Sequence, residues 1–214
     1  MRARITELIL LFGVLPVALL VLRSSGIRVS PLPVLWLAAA GCVVLLWRMG
    51  RISDPNRESS VNARTRRSVM AEVVITIVIG SALLLLLYPL ISDEPMARFP
   101  RERPGLWLVV LVVYPMLSVV PQGIIFRRWF VARYRPLLGS GAMMILVGAA
   151  CFGWSHLLFG NPVAPLITAV GGIFFLRTYL RGGSGWLSDL QHAVLGDVAF
   201  TIGYGQWLYA GAVN

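Results

Sequence analysis

The sequence predicts an all-α, polytopic integral membrane protein with about seven transmembrane helices, and three observations predict it. Of the 214 residues, 57% are hydrophobic and only 13% are charged, against about 25% charged in a typical soluble domain. The missing charges are not spread evenly. They leave apolar blocks over residues 5–22, 32–47, 70–91, 106–126, 142–159, 163–176 and 187–210, most of them near the ~18 residues that cross a bilayer as a helix. The basic residues sit mainly between these blocks, where loops meet lipid headgroups. A nucleic-acid surface would gather them on one face, so the net charge of +10 is assigned to the membrane and nucleic acid is not expected as a partner.

The blocks read in order as follows. Residues 5–22 follow Arg2 and Arg4 and could pass for a secretory leader, but Val21-Leu22-Arg23-Ser24 is not a small-residue cleavage site, so an uncleaved first span is expected. The second and sixth blocks are short and are expected to be tilted, longer than these bounds, or partly re-entrant. Residues 48–69 form the only long polar stretch and read as a solvated loop on the membrane surface, too short for a domain. Helices are required throughout, because backbone groups in lipid must satisfy one another within the segment. Residues 1–214 therefore read as a single transmembrane domain. Cys42 and Cys151 both lie inside apolar blocks and read as packing residues, not a disulfide framework.

Orientation follows from the arginines, which supply all 19 basic residues. With a cytoplasmic N-terminus, fourteen fall in inside segments and five (Arg23, Arg28, Arg98, Arg101, Arg103) in outside loops. This asymmetry favours a cytoplasmic N-terminus and an outside C-terminus, and a bacterial inner membrane is the expected location.

Ionisable and polar groups in a bilayer are costly and mark function or pairing. Glu72, near the start of the third span, reads as an interfacial residue paired with a loop arginine. Gln122, Gly123, Arg127 and Arg128 lie towards the end of the fourth span, and Arg128 reads as its cytoplasmic stop. His156 falls deep in the fifth span. Asp189, Gln191, His192 and Asp197 fall in the seventh. The chain has only two histidines, both intramembrane. Phe152 shares a helix face with His156, Gly123 with Arg127, and His192 with Asp189 and Gly196. A polar cavity between the fourth, fifth and seventh spans that collects Arg127, His156 and His192 is therefore expected.

These residues also carry a resemblance. Gln122-Gly123-Ile124-Ile125-Phe126-Arg127, Phe152-Gly153-Trp154-Ser155-His156 and His192-Ala193-Val194-Leu195-Gly196-Asp197 resemble, in order and in separate spans, the three signatures of the CPBP family. That family comprises the CAAX-type prenyl endopeptidases and the bacteriocin-processing Abi intramembrane proteases, and its signatures read Glu-Glu-x-x-x-Arg, Phe-x-x-x-His and His-x-x-x-Asn/Asp. The similarity covers residues 106–210. It implies a membrane endopeptidase homologue that cleaves or binds membrane-associated peptides. His156, His192 and Arg127 would be its catalytic residues, with Gln122, Gly123, Phe152, Asp189 and Asp197 lining the site.

The departures are as informative. Gln122 and Gly123 replace the glutamate pair, and a general base must accept a proton, which an amide cannot do. Gly196 stands where Asn or Asp is expected, with Asp197 offset by about 100° of helix rotation. Three readings follow. One is an active protease whose histidines do the base work. The second is a pseudoenzyme that binds without cutting. The third, from a different class, is a small transporter or proton-coupled channel, for which Gly171-Gly172 and Gly182-Gly183-Ser184-Gly185 would mark broken helices. The histidines lack HExxH spacing, so no metal and no cofactor is expected. The clients and the oligomeric state are not written in the sequence.

Overall fold

The computed structural model describes residues 1–27, 30–51, 62–183 and 185–208. Among these there is no β-strand. We number the helices α1 Arg2–Ser24, α2 Pro31–Arg48, α3 Ala63–Ile91, α4 Arg98–Glu102, α5 Pro104–Leu138, α6 Ala142–Phe159, α7 Val163–Gly182, α8 Gly185–Ile202 and α9 Gly205–Leu208. Six of them (α1, α2, α3, α5, α6 and α7) are long and apolar enough to cross a membrane. Helix α8 has the length, 18 residues, but Asp189, Gln191, His192 and Asp197 lower its hydropathy. It lies within the bundle, in contact with α3, α5 and α7.

The segment ends follow from local chemistry. Proline at the first turn starts α2 and α5, where its missing N–H has no helical partner to lose. The Asn62 side chain accepts from Thr65 N at 2.8 Å to cap α3. Gly160 and Gly183, both with left-handed φ (73° and 64°), end α6 and α7. The two short blocks of the sequence resolve as full spans. Helix α2 has 18 residues, and α7 runs on through Arg177 and Arg181 to Gly182, 20 residues or about 30 Å. Its terminal arginines cost little there, because both pair with Glu72 of α3. Glu72 is thus paired at a helix end as expected, with helix arginines in place of loop ones. Residues 52–61 of the expected surface loop lie outside the described residues, and α3 already begins at Ala63.

Helix α5 is the centre of the bundle. Helices α1, α2, α6 and α8 all touch it. Its 35 residues exceed the ~20 needed to cross, so it tilts or projects beyond the hydrocarbon. Two π-helical stretches, Pro115–Val119 and Ile124–Trp129, interrupt it. Pro115 and Pro121 remove donors from the helical ladder, and a π turn widens the helix and re-aims the residues that follow. Phe126, Trp129, Phe130 and Tyr134 of α5 then surround Phe12 of α1, with ring centroids 5.4–6.2 Å from it. Arg133 closes the same end of the α1–α5 contact, donating to Glu7 at 2.8 Å.

Helices α6 and α7 make the most extensive pairwise contact, and small residues allow it. A side chain at Gly153 would meet the carbonyl oxygen of Pro165 at 2.6 Å, and one at Gly172 would meet Ala149 Cα at 3.1 Å. Between helices in lipid, close backbone approach replaces the hydrophobic driving force. Gly172 is therefore a packing residue and Gly183 a helix cap, and neither breaks a helix. The outward faces are apolar, with Leu37, Leu90 and Leu166 all exposed, as lipid contact requires. The protein is an all-α polytopic membrane protein.

Gly153→Val should force α6 from the α7 backbone and cost about 1–3 kcal/mol or more. Gly41→Ala, in open space on α2, should be neutral. Thermal melts in detergent separate the two outcomes.

Candidate functional site

The deepest polar feature is an ion pair between α5 and α8. Arg127 is 2% exposed. Its Nη2 donates to Asp189 Oδ1 at 2.8 Å and approaches the Val119 carbonyl oxygen at 3.5 Å. Arg128 donates to the other carboxylate oxygen at 2.6 Å. Arg128 does not end the helix, which runs on for ten residues, and it packs against Gly185 at the start of α8. The π-helical stretch lets two consecutive arginines converge on one carboxylate.

Asp189 occupies the space of an absent side chain. A Cβ built on Gly123 would collide with Asp189 Oδ1 and lie 2.8 Å from both Arg127 Nη2 and Arg128 Nη1. The carboxylate that the motif pattern expects on α5 at position 123 is thus supplied from α8. Gln122 is buried on the next helical position, where its Nε2 donates to Ser118 Oγ at 2.7 Å and its Oε1 has no partner.

The remaining candidates form a string rather than a ring around one cavity. Arg127 Cζ lies 5.8 Å from the centre of the Phe175 ring. Phe175 stacks on His192 at 4.6 Å. His192 meets Phe152 edge-on at 5.5 Å, and Phe152 meets His156 at 4.7 Å. The expected shared cavity is replaced by this aromatic packing. A pocket of about 10 Å³, room for roughly one water, does adjoin Arg127, Phe126, Phe152 and Phe175, but neither histidine lines it.

His156 is not deep in its span. The α-helical part of α6 stops at Ser155, and His156 opens a 3₁₀ turn to Phe159, since Gly160 and the following Asn161-Pro162 end the helix. Its Nδ1 lies 2.7 Å from the Phe152 carbonyl oxygen. A carbonyl only accepts, so Nδ1 carries the proton and Nε2 presents a lone pair. His192 is buried, with Nε2 3.2 Å from the Tyr114 hydroxyl and Nδ1 unpartnered. Asp197 makes no hydrogen bond to either histidine, and its Oδ1 is likewise unpartnered. No group of three or more His, Cys, Asp or Glu among the described residues is arranged to hold a metal ion.

The structure adds Tyr114, Phe175 and Arg128 to the site. Tyr114 carried a usable signal, since a phenol in mid-span needs a partner for its hydroxyl. Phe175 carried none, because one phenylalanine in an apolar helix looks like any other. Thr178 and Ser188 fix the α7–α8 contact around it, through Thr178 Oγ1 to Gln191 Oε1 at 2.8 Å and Ser188 Oγ to the Phe175 carbonyl oxygen at 2.7 Å.

Asp189→Ala should strand the buried Arg127 and destabilise the protein, towards the lower end of the ~3–5 kcal/mol typical of a broken buried pair because Arg128 is partly exposed. Gly123→Glu should also destabilise, by collision with Asp189. The double variant should melt above both single ones, because the new carboxylate takes the vacated place. A double-mutant cycle of melting data reads the coupling.

No curated protein and no solved structure matches the chain. A family model described as Type II CAAX prenyl endopeptidase Rce1-like matches residues 104–196. That span runs from the start of α5 to Gly196 and contains every candidate residue except Asp197. Over residues 104–196, therefore, this chain is similar to the Rce1-like family of CAAX-protease-like membrane endopeptidases, a CPBP family.

Proposed function

We propose that this protein uses the CAAX-protease-like fold to hold a membrane-associated peptide without cleaving it. The observation that carries the reading is Gln122. It occupies the first position of the motif's glutamate pair, and its amide is hydrogen-bonded to Ser118 and cannot take a proton from water. The one carboxylate beside it, Asp189, is held by two guanidinium groups and is a counter-ion rather than a base. No described carboxylate is hydrogen-bonded to His156 or His192. The arrangement keeps donors and an acceptor for a peptide backbone, namely His156 Nε2, His192 Nδ1 and the Arg127 Nε that lacks a partner.

The client is a transmembrane or lipid-anchored peptide, and the family's prenylated CAAX chains are one member of that class. The N-terminus faces the cytoplasm of a bacterial inner membrane. In support, Arg133, Arg177 and Arg181 gather at the bundle end that holds Glu7 and Glu72, while Arg98 and Arg101 lie beside the far end of α8. Removing the buried Arg127 and the half-buried Arg128 from the count leaves that imbalance in place.

The test uses purified protein in lipid nanodiscs with a mixed library of transmembrane, lipid-anchored and prenylated CAAX peptides. Capture is read by photo-crosslinking and cleavage by mass spectrometry. Wild type should capture without product. Gln122→Glu should gain cleavage by about 10²-fold or more, the scale of a positioned general base, and lose it again with His156→Ala. The structure favours position 122 for this test because a side chain at 123 meets Asp189. Cleavage by wild type that disappears in His156→Ala would overturn the reading in favour of a histidine-based protease.

A further inference from the structure

We infer that Asp197 is the docking anion for a basic residue of a transmembrane client, which lies along the open face of α8 and brings the lysine or arginine that this carboxylate lacks. The inference rests on the peptide-binding reading for the class of its ligand and names what selects the ligand within that class.

Three sides of α8 are taken by neighbouring helices. Helix α5 meets Gly185, Asp189, His192 and Gly196 through the guanidinium groups of Arg128 and Arg127 and the phenol of Tyr114. Helix α3 meets Leu195, whose Cδ2 would lie 3.0 Å from a Cβ at Gly80. Helix α7 meets Ser188 and Gln191 through the Phe175 carbonyl oxygen and the Thr178 hydroxyl. The remaining face carries Trp186, Leu190 and Asp197, which fall within about 40° of one another around the helix, on the side opposite α7. Trp186 and Leu190 are 55% and 44% exposed, and Asp197 is half-buried. Trp107 of α5 borders this stripe. Its Nε1 donates to Thr201 Oγ1 at 3.0 Å, and that hydroxyl donates to the Asp197 carbonyl oxygen at 2.7 Å.

An apolar stripe on a membrane helix is ordinarily left to lipid, and Asp197 is what sets this one apart. The other carboxylates within the described helices are all paired: Glu7 with Arg133, Glu72 with Arg177 and Arg181, Glu102 with Arg98, and Asp189 with Arg127 and Arg128. Asp197 has no arginine among the described residues, and its Oδ1 is buried without a partner. It stands twelve residues into α8 and five before the end at Ile202, about 8 Å along the axis. At that depth a carboxylate is costly without a counter-charge. The protein supplies a counter-charge at every other such position, so here the cation arrives with the ligand. A client helix laid against Trp186 and Leu190 gains apolar contact along the stripe, and a lysine or arginine on it reaches Asp197. The apolar flanks select a membrane helix over a water-soluble peptide, and the carboxylate selects a basic one over a purely apolar one.

The test uses the protein in nanodiscs of phosphatidylcholine, a lipid without a primary amine, and single-span peptides rich in leucine and alanine. Each peptide carries a photo-crosslinker and one lysine, moved stepwise through the span. Wild type should capture the best lysine peptide at least about tenfold better than the all-apolar parent, the scale of a close charge pair at an interface. The optimum should place the lysine about 8 Å inside one end of the span, with crosslinks on Trp186 and Leu190. Asp197→Asn, nearly isosteric, should bring the lysine peptide down to the level of the parent, and melting curves check that it stays folded. Asp197→Arg should reverse the preference, towards a peptide with glutamate at the same place. Equal capture of lysine and parent peptides by wild type, or a lysine preference that survives in Asp197→Asn, overturns the role of Asp197 and leaves the peptide-binding reading standing. Crosslinks confined to other helices overturn the placement on α8. Capture of no peptide overturns both readings. Cleavage by wild type overturns the non-cleaving reading alone, and the lysine preference is then read from product yield.

Discussion

A guanidinium buried inside a helix bundle needs a counter-charge, and this requirement organises the protein. Arg127 is buried in the middle of α5, and the carboxylate that answers it comes from another helix, Asp189 of α8. Helix α8 is itself too polar to face lipid, so it must stay against α5, with α3 and α7 covering its other sides. Arg128 joins the same carboxylate, leaving the trio with one net positive charge. Removing Asp189 would leave two guanidinium groups with no counter-charge, one of them fully buried. The outer helices, whose polar groups pair at their ends, have far more freedom.

Two glycines show how the site is assembled across helices. At Gly123 the missing carboxylate is replaced by Asp189, and at Gly196 the missing polar side chain is replaced by the hydroxyl of Tyr114. In both cases the group lies on the opposite partner of the same α5–α8 contact. The site thus keeps polar groups beside Arg127 and His192 while changing which helix carries them. A carboxylate held between two arginines balances their charge. The change at position 122, from a carboxylate to an amide, is the one that nothing nearby compensates.

The aromatic rings give this arrangement its rigidity. Phe175 and Phe152 hold His192 between them, and Phe152 also packs on His156. Such edge and stacking contacts add modest energy individually. Here they also fix the imidazole planes, with His192 Nε2 beside the Tyr114 hydroxyl and His156 Nδ1 beside the Phe152 carbonyl oxygen.

The sequence by itself determined the helical membrane class, the cores of the six apolar spans and the likeness to the Rce1-like family, because hydropathy and short motifs are local properties of the chain; it left the helix ends short, by twelve residues at the end of α5. It also picked out Arg127, Phe152, His156 and His192, since polar groups in apolar segments stand out without knowledge of their neighbours. Only the tertiary structure decided that Arg128 is an ion-pair partner rather than a helix stop, because a π-helical stretch sets its direction. It also decided that His156 sits at a helix end, and that Asp189 and Tyr114 fill the space above Gly123 and Gly196. Those facts depend on how helices distant in sequence approach one another, and a glycine in a sequence carries no mark of what another helix will place beside it.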